Sequence, residues 1–198
     1  EELMEELKDA YNIFMTPEKG LVEFEVISDA HIMNNNMNHD NARHLIHAYE
    51  TIGKVFPDSV GVMNCGDISD SGYEEQFEGY YQIIDQYTPE GMTTLSALGN
   101  HDVRWKSGWD EIYERYMRYN SKYMGDTDGK VYYDQWLGGY HFIVMNTEWD
   151  TKDRAYISDE QIEWLDKTMA EGAEDGKPIF IIFHQAMRDT YFNSNDWS

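Results

Sequence analysis

The chain has 198 residues, 41% of them hydrophobic and 15% aromatic, so it is too apolar for an intrinsically disordered protein and long enough for one domain. Its 38 Asp and Glu against 15 Lys and Arg give a formal net charge of -23, which disfavours general nucleic-acid binding and attachment to anionic membranes. One cysteine, Cys65, excludes an intramolecular disulfide and a thiolate zinc site, whereas many carboxylates favour a divalent-cation site.

The sequence predicts neither a membrane span nor a signal peptide. No stretch approaches about 18 consecutive apolar residues, and residues 1–7 lack the basic start and apolar core of a signal peptide. The first residue is Glu1 rather than methionine, which suggests an excised or processed piece. Cytoplasmic and processed extracellular locations are both compatible with these features.

Helices alternate with short strands in the predicted first half of the chain. Apolar side chains at helical spacing or in alternation distinguish the two. They predict helices at 1–14, 41–56 and 74–87, and strands at 21–28, 59–65 and 93–98. In the first strand, the alternation places Val22, Phe24 and Val26 on one face.

The second half begins with a helix whose capping box is Ser107 and Asp110. Two strands at 131–136 and 140–146 then form a predicted hairpin around Gly138-Gly139. Ser158 begins a further helix, and the last strand covers 179–183. Strands that alternate with helices predict an α/β layered core, and the hairpin indicates a sheet that is not purely parallel.

Polar side chains that bind metals or transfer protons gather directly after four strands. These segments are Ser28-Asp29-Ala30-His31, Gly66-Asp67, Gly99-Asn100-His101-Asp102 and His184-Gln185. Taken singly, Asp29 or Asp67 could be an ordinary turn residue and not a metal ligand. Because the carboxyl ends of strands in an open α/β sheet meet at one crevice, the ordered set predicts one shared site.

The types of side chain indicate the metals. Carboxylates, imidazoles and one amide oxygen suit manganese, iron or zinc better than a calcium cage. An aspartate on the middle strand, Asp67, can bridge two ions about 3.5 to 4 Å apart, the spacing of two-metal hydrolases. The predicted cofactor is therefore a pair of divalent ions.

These segments resemble the successive signature motifs of the calcineurin-like metallophosphoesterase superfamily. The resemblance covers residues 21 to about 185 and rests on Ser-Asp-Ala-His, Gly-Asp-Ile-Ser-Asp-Ser-Gly, Gly-Asn-His-Asp and Phe183-His184-Gln185. Residues 157–165 also resemble a helix that many bacterial members carry before the histidine strand. The resemblance implies a four-layer α/β/β/α sandwich with mixed sheets, as one domain over residues 1–198 with a core at 21–185 and an N-terminal helix at 1–20.

The resemblance also implies the metal ligands. Asp29 and His31 would bind the first ion, Asn100 and His184 the second, and Asp67 would bridge both. It implies a dinuclear phosphoric ester hydrolase in which a metal-bridging hydroxide attacks a phosphomonoester or small phosphodiester. The Gly-Asp segment followed by Ser-Asp-Ser-Gly resembles the bacterial cyclic-nucleotide and glycerophosphodiester branch, which favours a phosphodiesterase of small phosphorylated molecules over a phosphatase.

Three further residues receive roles around the metals. By the resemblance, His101 would act beside the leaving group as general acid or transition-state stabiliser, oriented by Asp102. Arg104 directly follows this motif and is a candidate for substrate contact, whereas packing is expected of Trp105.

One family motif is missing. The family ordinarily supplies Gly-His-x-His on a later strand, and residues 185–198 contain neither Gly nor His. The chain is therefore either a truncation that lacks the C-terminal strands or a degenerate member with an incomplete site, and the intact motifs at 29, 67 and 100 favour truncation. The alternative function is a metal-poor or pseudo-enzyme domain with a binding or scaffolding role.

The remaining polar residues are weaker candidates. Expected positions are a loop for His39, a solvated helix face for His44 and His47, and a packed or surface strand for His141. Asn146 and Glu148 close the hairpin near the predicted crevice and are weak candidates for the site.

Overall fold

The computed structural model describes residues 22–104, 108–149 and 152–190, together with 192 and 194. The helix predicted over residues 1–14, the capping residue Ser107 and the packing role of Trp105 lie outside the described residues. Two three-stranded sheets form the described core. None of the described helices has both the length and the apolar character that a membrane span requires.

The first sheet is entirely parallel, with the order β1-β2-β3. Its strands are β1 (Glu25–Ile27), β2 (Gly61–Asn64) and β3 (Thr93–Ser96). The helices that accompany it in the chain are α1 (Asp40–Val55), α2 (Glu74–Tyr87), the short α3 (Asn100–Val103) and α4 (Trp109–Met124). All four residues of β2 are buried, as expected of the central strand of a parallel sheet covered on both faces.

The second sheet is mixed, as the hairpin predicts. Strands β4 (Tyr133–Leu137) and β5 (Tyr140–Val144) are antiparallel, and β6 (Ile179–Ile182) pairs in parallel with β5. Helix α5 (Asp159–Gly172) begins at Ser158, whose hydroxyl accepts a hydrogen bond of 3.1 Å from the Gln161 backbone. The fold is thus α/β with two sheets and flanking helices, in agreement with the predicted class.

Aromatic side chains join the two sheets. The centroid of the Phe24 ring lies 5.0 Å from that of Phe142 and 4.7 Å from that of Phe180, in edge-to-face contacts. Val26, which the alternation places on the same face as Phe24, is instead 60% exposed. The packing on this face therefore covers Phe24 and does not extend to Val26.

Tyr116 and Asn146 connect the end of β3 to the second sheet. The Tyr116 hydroxyl, from α4, donates to the Ser96 carbonyl at 2.6 Å and accepts from the Asn146 amide at 3.0 Å. Asn146 also accepts from the Leu98 backbone and donates to the Val131 carbonyl at 2.6 Å. Asn146 is therefore a buried structural residue and not a rim residue of the crevice.

Replacing Tyr116 with phenylalanine should lower the free energy of unfolding by about 1 to 3 kcal/mol, since the Ser96 carbonyl and the Asn146 amide lose a buried partner. Urea denaturation measures this change. The matched control is Tyr119→Phe on the same helix, where the hydroxyl donates to the partly exposed Glu74 carboxylate at 2.7 Å. Equal losses in the two variants would contradict the structural role of the buried network.

Candidate metal centre

The segments that follow β1 and β2 run side by side and carry three of the predicted ligands. Their backbones continue the strand pairing past the strand ends. The bonds are Asp29 N to Gly66 O at 3.0 Å, His31 N to Asp67 O at 3.0 Å and Ile32 N to Ile68 O at 3.1 Å. This backbone ladder places Asp29, His31 and Asp67 next to one another.

The same three residues have left-handed backbone conformations. The φ angles are 58° at Asp29, 44° at His31 and 52° at Asp67, a region that residues other than glycine rarely adopt. Each such residue costs roughly 1 kcal/mol or more and persists only where its surroundings hold it. Strain of this kind clusters at functional sites, so its occurrence at three predicted ligands supports a functional role for this crevice.

The first predicted ion has a suitable set of donors. The His31 Nε2 atom lies 3.6 Å from Asp29 Oδ1 and 3.7 Å from Asp67 Oδ2. Atoms bound to one ion at about 2.1 Å lie about 3 to 3.7 Å from each other. The three side chains are therefore close enough to share one borderline divalent ion.

The second predicted ion has His184 and Asn100. The Nδ1 atom of His184 lies 2.9 Å from the Cys65 carbonyl, which assigns the ring hydrogen to Nδ1. The Nε2 atom lies 2.9 Å from Asn100 Oδ1 and 3.5 Å from Asp67 Oδ2. In a neutral ring with its hydrogen on Nδ1, the Nε2 atom and these two oxygens can together bind a cation.

Asp67 lies between these two donor groups. Its Oδ1 atom accepts a hydrogen bond of 2.8 Å from the His101 backbone, while Oδ2 faces both His31 and His184. Gly99 permits this packing because it has no side chain. A Cβ atom at that position would lie 2.1 Å from Asp67 Oδ1. One buried carboxylate oxygen is thus directed at two nitrogen donors from different strands.

His101 lies in contact with the same group. Its ring meets that of His31 edge-on, with the centroids 4.5 Å apart. Its Nδ1 atom lies 2.8 Å from the Asp70 carbonyl, which assigns the hydrogen to Nδ1. The main chain at Asp70 therefore orients the ring, which differs from the predicted orientation by Asp102.

Asp102 instead binds the backbone of two loops. Its buried oxygens accept from the Ser69 backbone at 2.8 Å, the Ser69 hydroxyl at 2.6 Å, Gly99 N at 2.7 Å and Ile68 N at 3.3 Å. Burial, and next the charge of Asp67, raise the pKa of Asp102 to about 6, while the bonds from Ser69 and Gly99 act in the opposite direction. Asp102 thus joins the loop after β2 to the loop after β3.

Two acidic residues near the centre have no assigned role in the sequence prediction. The Asp70 carboxylate lies 3.7 Å from His31 Nδ1, and Asp70, His31 and His101 are also close enough to share an ion. Asp70 belongs to the Gly-Asp-Ile-Ser-Asp-Ser-Gly motif, so a sequence signal existed. Asp153 accepts from the Asn100 amide at 3.2 Å and from the Arg104 guanidinium, and no motif marks it.

These side chains line one open cavity of about 640 Å³. Its lining consists of Asp29, His31, Asp67, Asn100, His101, Arg104, Asp153, His184, Gln185 and Ala186. All predicted ligands, His101 and Arg104 therefore share one space, while Asp102 lies behind it. The volume is within the range of small-molecule sites.

The other histidines do not line this cavity. His39 caps α1 by accepting from the Asn41 backbone at 3.3 Å, and the exposed His47 lies 3.5 Å from Glu50. His141 is buried, binds Asp134 at 2.7 Å and stacks on Trp136. His44, on α1, lines a groove beside Asp29.

Glu148 closes a loop after β5. It accepts from Gln161 and Ser158 with its carboxylate, each at 2.8 Å, and its backbone nitrogen bonds to the Tyr156 carbonyl at 2.8 Å. These contacts make Glu148 a structural residue at the base of the loop that carries Asp153.

The family model described as calcineurin-like phosphoesterase matches residues 24–197, a span that includes every strand-end segment. The search of curated proteins returns no significant match.

Proposed function

Because the chain belongs to the calcineurin-like phosphoesterase family, we propose that it hydrolyses a phosphoric ester with two divalent metal ions. Asp29, His31 and Asp67 would hold one ion, and Asp67, Asn100 and His184 the other. The observation that carries the proposal is the position of Asp67 Oδ2, 3.7 Å from His31 Nε2 and 3.5 Å from His184 Nε2. A carboxylate shared in this way is the element that a two-ion site requires.

The donor set favours manganese, iron or zinc. Bound ions would supply Lewis-acid chemistry, since they withdraw charge from a phosphoryl oxygen and provide hydroxide as nucleophile at neutral pH. Asp67 would keep the two positions at a constant separation, because its Oδ1 is held by the His101 backbone. The protein thus contributes position and charge, the main requirements of phosphoryl transfer.

His101 would assist departure of the alcohol. With the Nδ1 hydrogen donated to the Asp70 carbonyl, a ring that also carries a proton on Nε2 would pass that second proton to the leaving oxygen and return to the neutral form. Arg104 lines the same cavity, and its guanidinium would bind a phosphoryl oxygen or another acidic part of the substrate.

A small phosphorylated molecule is the proposed substrate. The cavity of about 640 Å³ matches such a ligand, and the net charge of -23 disfavours binding of nucleic acid. Within this class we favour a small phosphodiester over a phosphomonoester, on the resemblance of the segment 66–72 to the bacterial phosphodiesterase branch.

Metal dependence tests the proposal. Protein stripped of metal should hydrolyse bis(p-nitrophenyl) phosphate or p-nitrophenyl phosphate about a hundredfold faster after addition of Mn²⁺, and a chelator should reverse the gain. Calorimetry should give two ions for each chain. A chain that binds no ion and hydrolyses neither ester would contradict the proposal and favour a binding or scaffolding role.

A further inference from the structure

Asp153 lies far along the chain from the cavity residues Asn100 and Arg104, yet it contacts both of them. Its Oδ1 atom accepts from the Nδ2 atom of Asn100 at 3.2 Å, across a separation of 53 residues. The Arg104 guanidinium donates to the same oxygen. One carboxylate oxygen therefore holds a predicted metal ligand and a predicted substrate-binding residue.

The contact determines which way the Asn100 amide faces. A carboxylate only accepts hydrogen bonds, so the NH₂ group must point to Asp153 and the carbonyl oxygen must point away from it. That oxygen lies 2.9 Å from His184 Nε2. In the reversed orientation the amide oxygen would meet the Asp153 carboxylate, and the NH₂ group, which cannot bind a metal, would face His184.

The loop that carries Asp153 is anchored at its base. The Glu148 backbone donates to the Tyr156 carbonyl at 2.8 Å, and the Tyr156 backbone donates to the Thr147 hydroxyl at 2.9 Å. The ion pair with Arg104 restrains the carboxylate itself. The loop is thus held at its base, and the Asp153 carboxylate is held by Arg104.

We propose that Asp153 is a positioning residue, which holds the Asn100 amide with its oxygen toward the second metal position. Partners of this kind orient metal ligands, and their removal typically weakens metal binding about 10- to 100-fold. The consequence for metal affinity rests on the proposed function, whereas the orientation of the amide is a property of the metal-free chain.

The first experiment tests the orientation without metal. In ¹⁵N-labelled protein, the NH₂ signals of Asn100 are assigned by their loss in Asn100→Asp. Asp153→Ala should shift these signals and accelerate their exchange with solvent. Asp85→Ala is the matched control, because the Asp85 side chain is 42% exposed and paired with Lys122, and the Asp153 side chain is likewise 42% exposed and paired with Arg104. Unchanged Asn100 signals in Asp153→Ala would overturn the inference.

The second experiment measures the affinity for Mn²⁺ by calorimetry. Asp153→Ala should weaken one of the two binding events about 10- to 100-fold, while Asp153→Asn, whose amide oxygen still accepts from Asn100, should stay within about threefold of wild type. Wild-type affinity in Asp153→Ala, or equal losses in both variants, would contradict the positioning role. If the wild-type chain binds no Mn²⁺, the proposed function fails, and the metal-free spectra still decide the role of Asp153.

Discussion

Asp67→Asn should reduce metal-dependent phosphoester hydrolysis by about a thousandfold, equivalent to about 4 kcal/mol of transition-state stabilisation. The asparagine oxygen is expected to accept the hydrogen bond from the His101 backbone, as Asp67 Oδ1 does. Its NH₂ group would then face His31 and His184, where the carboxylate oxygen now lies. A group without a lone pair cannot bridge two ions, so calorimetry should show loss of at least one ion.

Although Asp67→Asn should lose activity, it should not lose stability in the absence of metal. The buried Asp67 carboxylate repels that of Asp102, and removal of its charge relieves this repulsion. The metal-free Asp67→Asn protein is therefore expected to melt at the wild-type temperature or above it. Asp58→Asn, an exposed aspartate in the turn before β2, controls for the substitution itself. Full Mn²⁺-dependent turnover by Asp67→Asn would contradict the bridging role.

Asp102→Ala should lower the free energy of unfolding by about 3 to 5 kcal/mol. The carboxylate accepts four hydrogen bonds from Ile68, Ser69 and Gly99, and alanine leaves these buried donors without an acceptor. Urea denaturation of the metal-free protein measures the loss. The comparison variant is Asp110→Ala, an exposed residue in the first turn of α4, for which a change below about 1 kcal/mol is expected.

The same variant separates a structural from a catalytic role for Asp102. If Asp102 acts by joining two loops, Asp102→Ala should lose stability and metal affinity together, because Asp67 and Asn100 lie on those loops. If it acts mainly on the His101 ring, turnover should fall while stability and metal affinity stay near wild type. The hydrogen bonds of Asp102 favour the first outcome.

The sequence predicts elements well where a local rule decides them. Helix α2 is observed over Glu74–Tyr87, the predicted bounds, because its apolar spacing is regular. The hairpin turns at Gly138 and Gly139, whose φ angles of 58° and 77° suit glycine. The strand-end rule likewise brings the predicted ligands to one cavity, because three parallel strands carry most of them.

Prediction fails where the outcome depends on atoms distant in sequence. The short helix Asn100–Val103 has too few residues for a periodic pattern. Asp102 follows His101 in the chain, yet its direction depends on the backbone donors that Ser69 and Gly99 present. Asp153 reaches Asn100 across 53 residues, from a segment without any motif.

The backbone ladder after β1 and β2 has a consequence for metal exchange. Its bonds join Asp29 to Gly66 and His31 to Asp67, so three predicted ligands, Asp29, His31 and Asp67, lie on two paired segments of main chain. The backbone positions of these residues relative to one another then follow from the pairing of the main chain. Substitution of zinc for manganese is accordingly expected to alter Lewis acidity while the main chain at these three residues keeps its conformation.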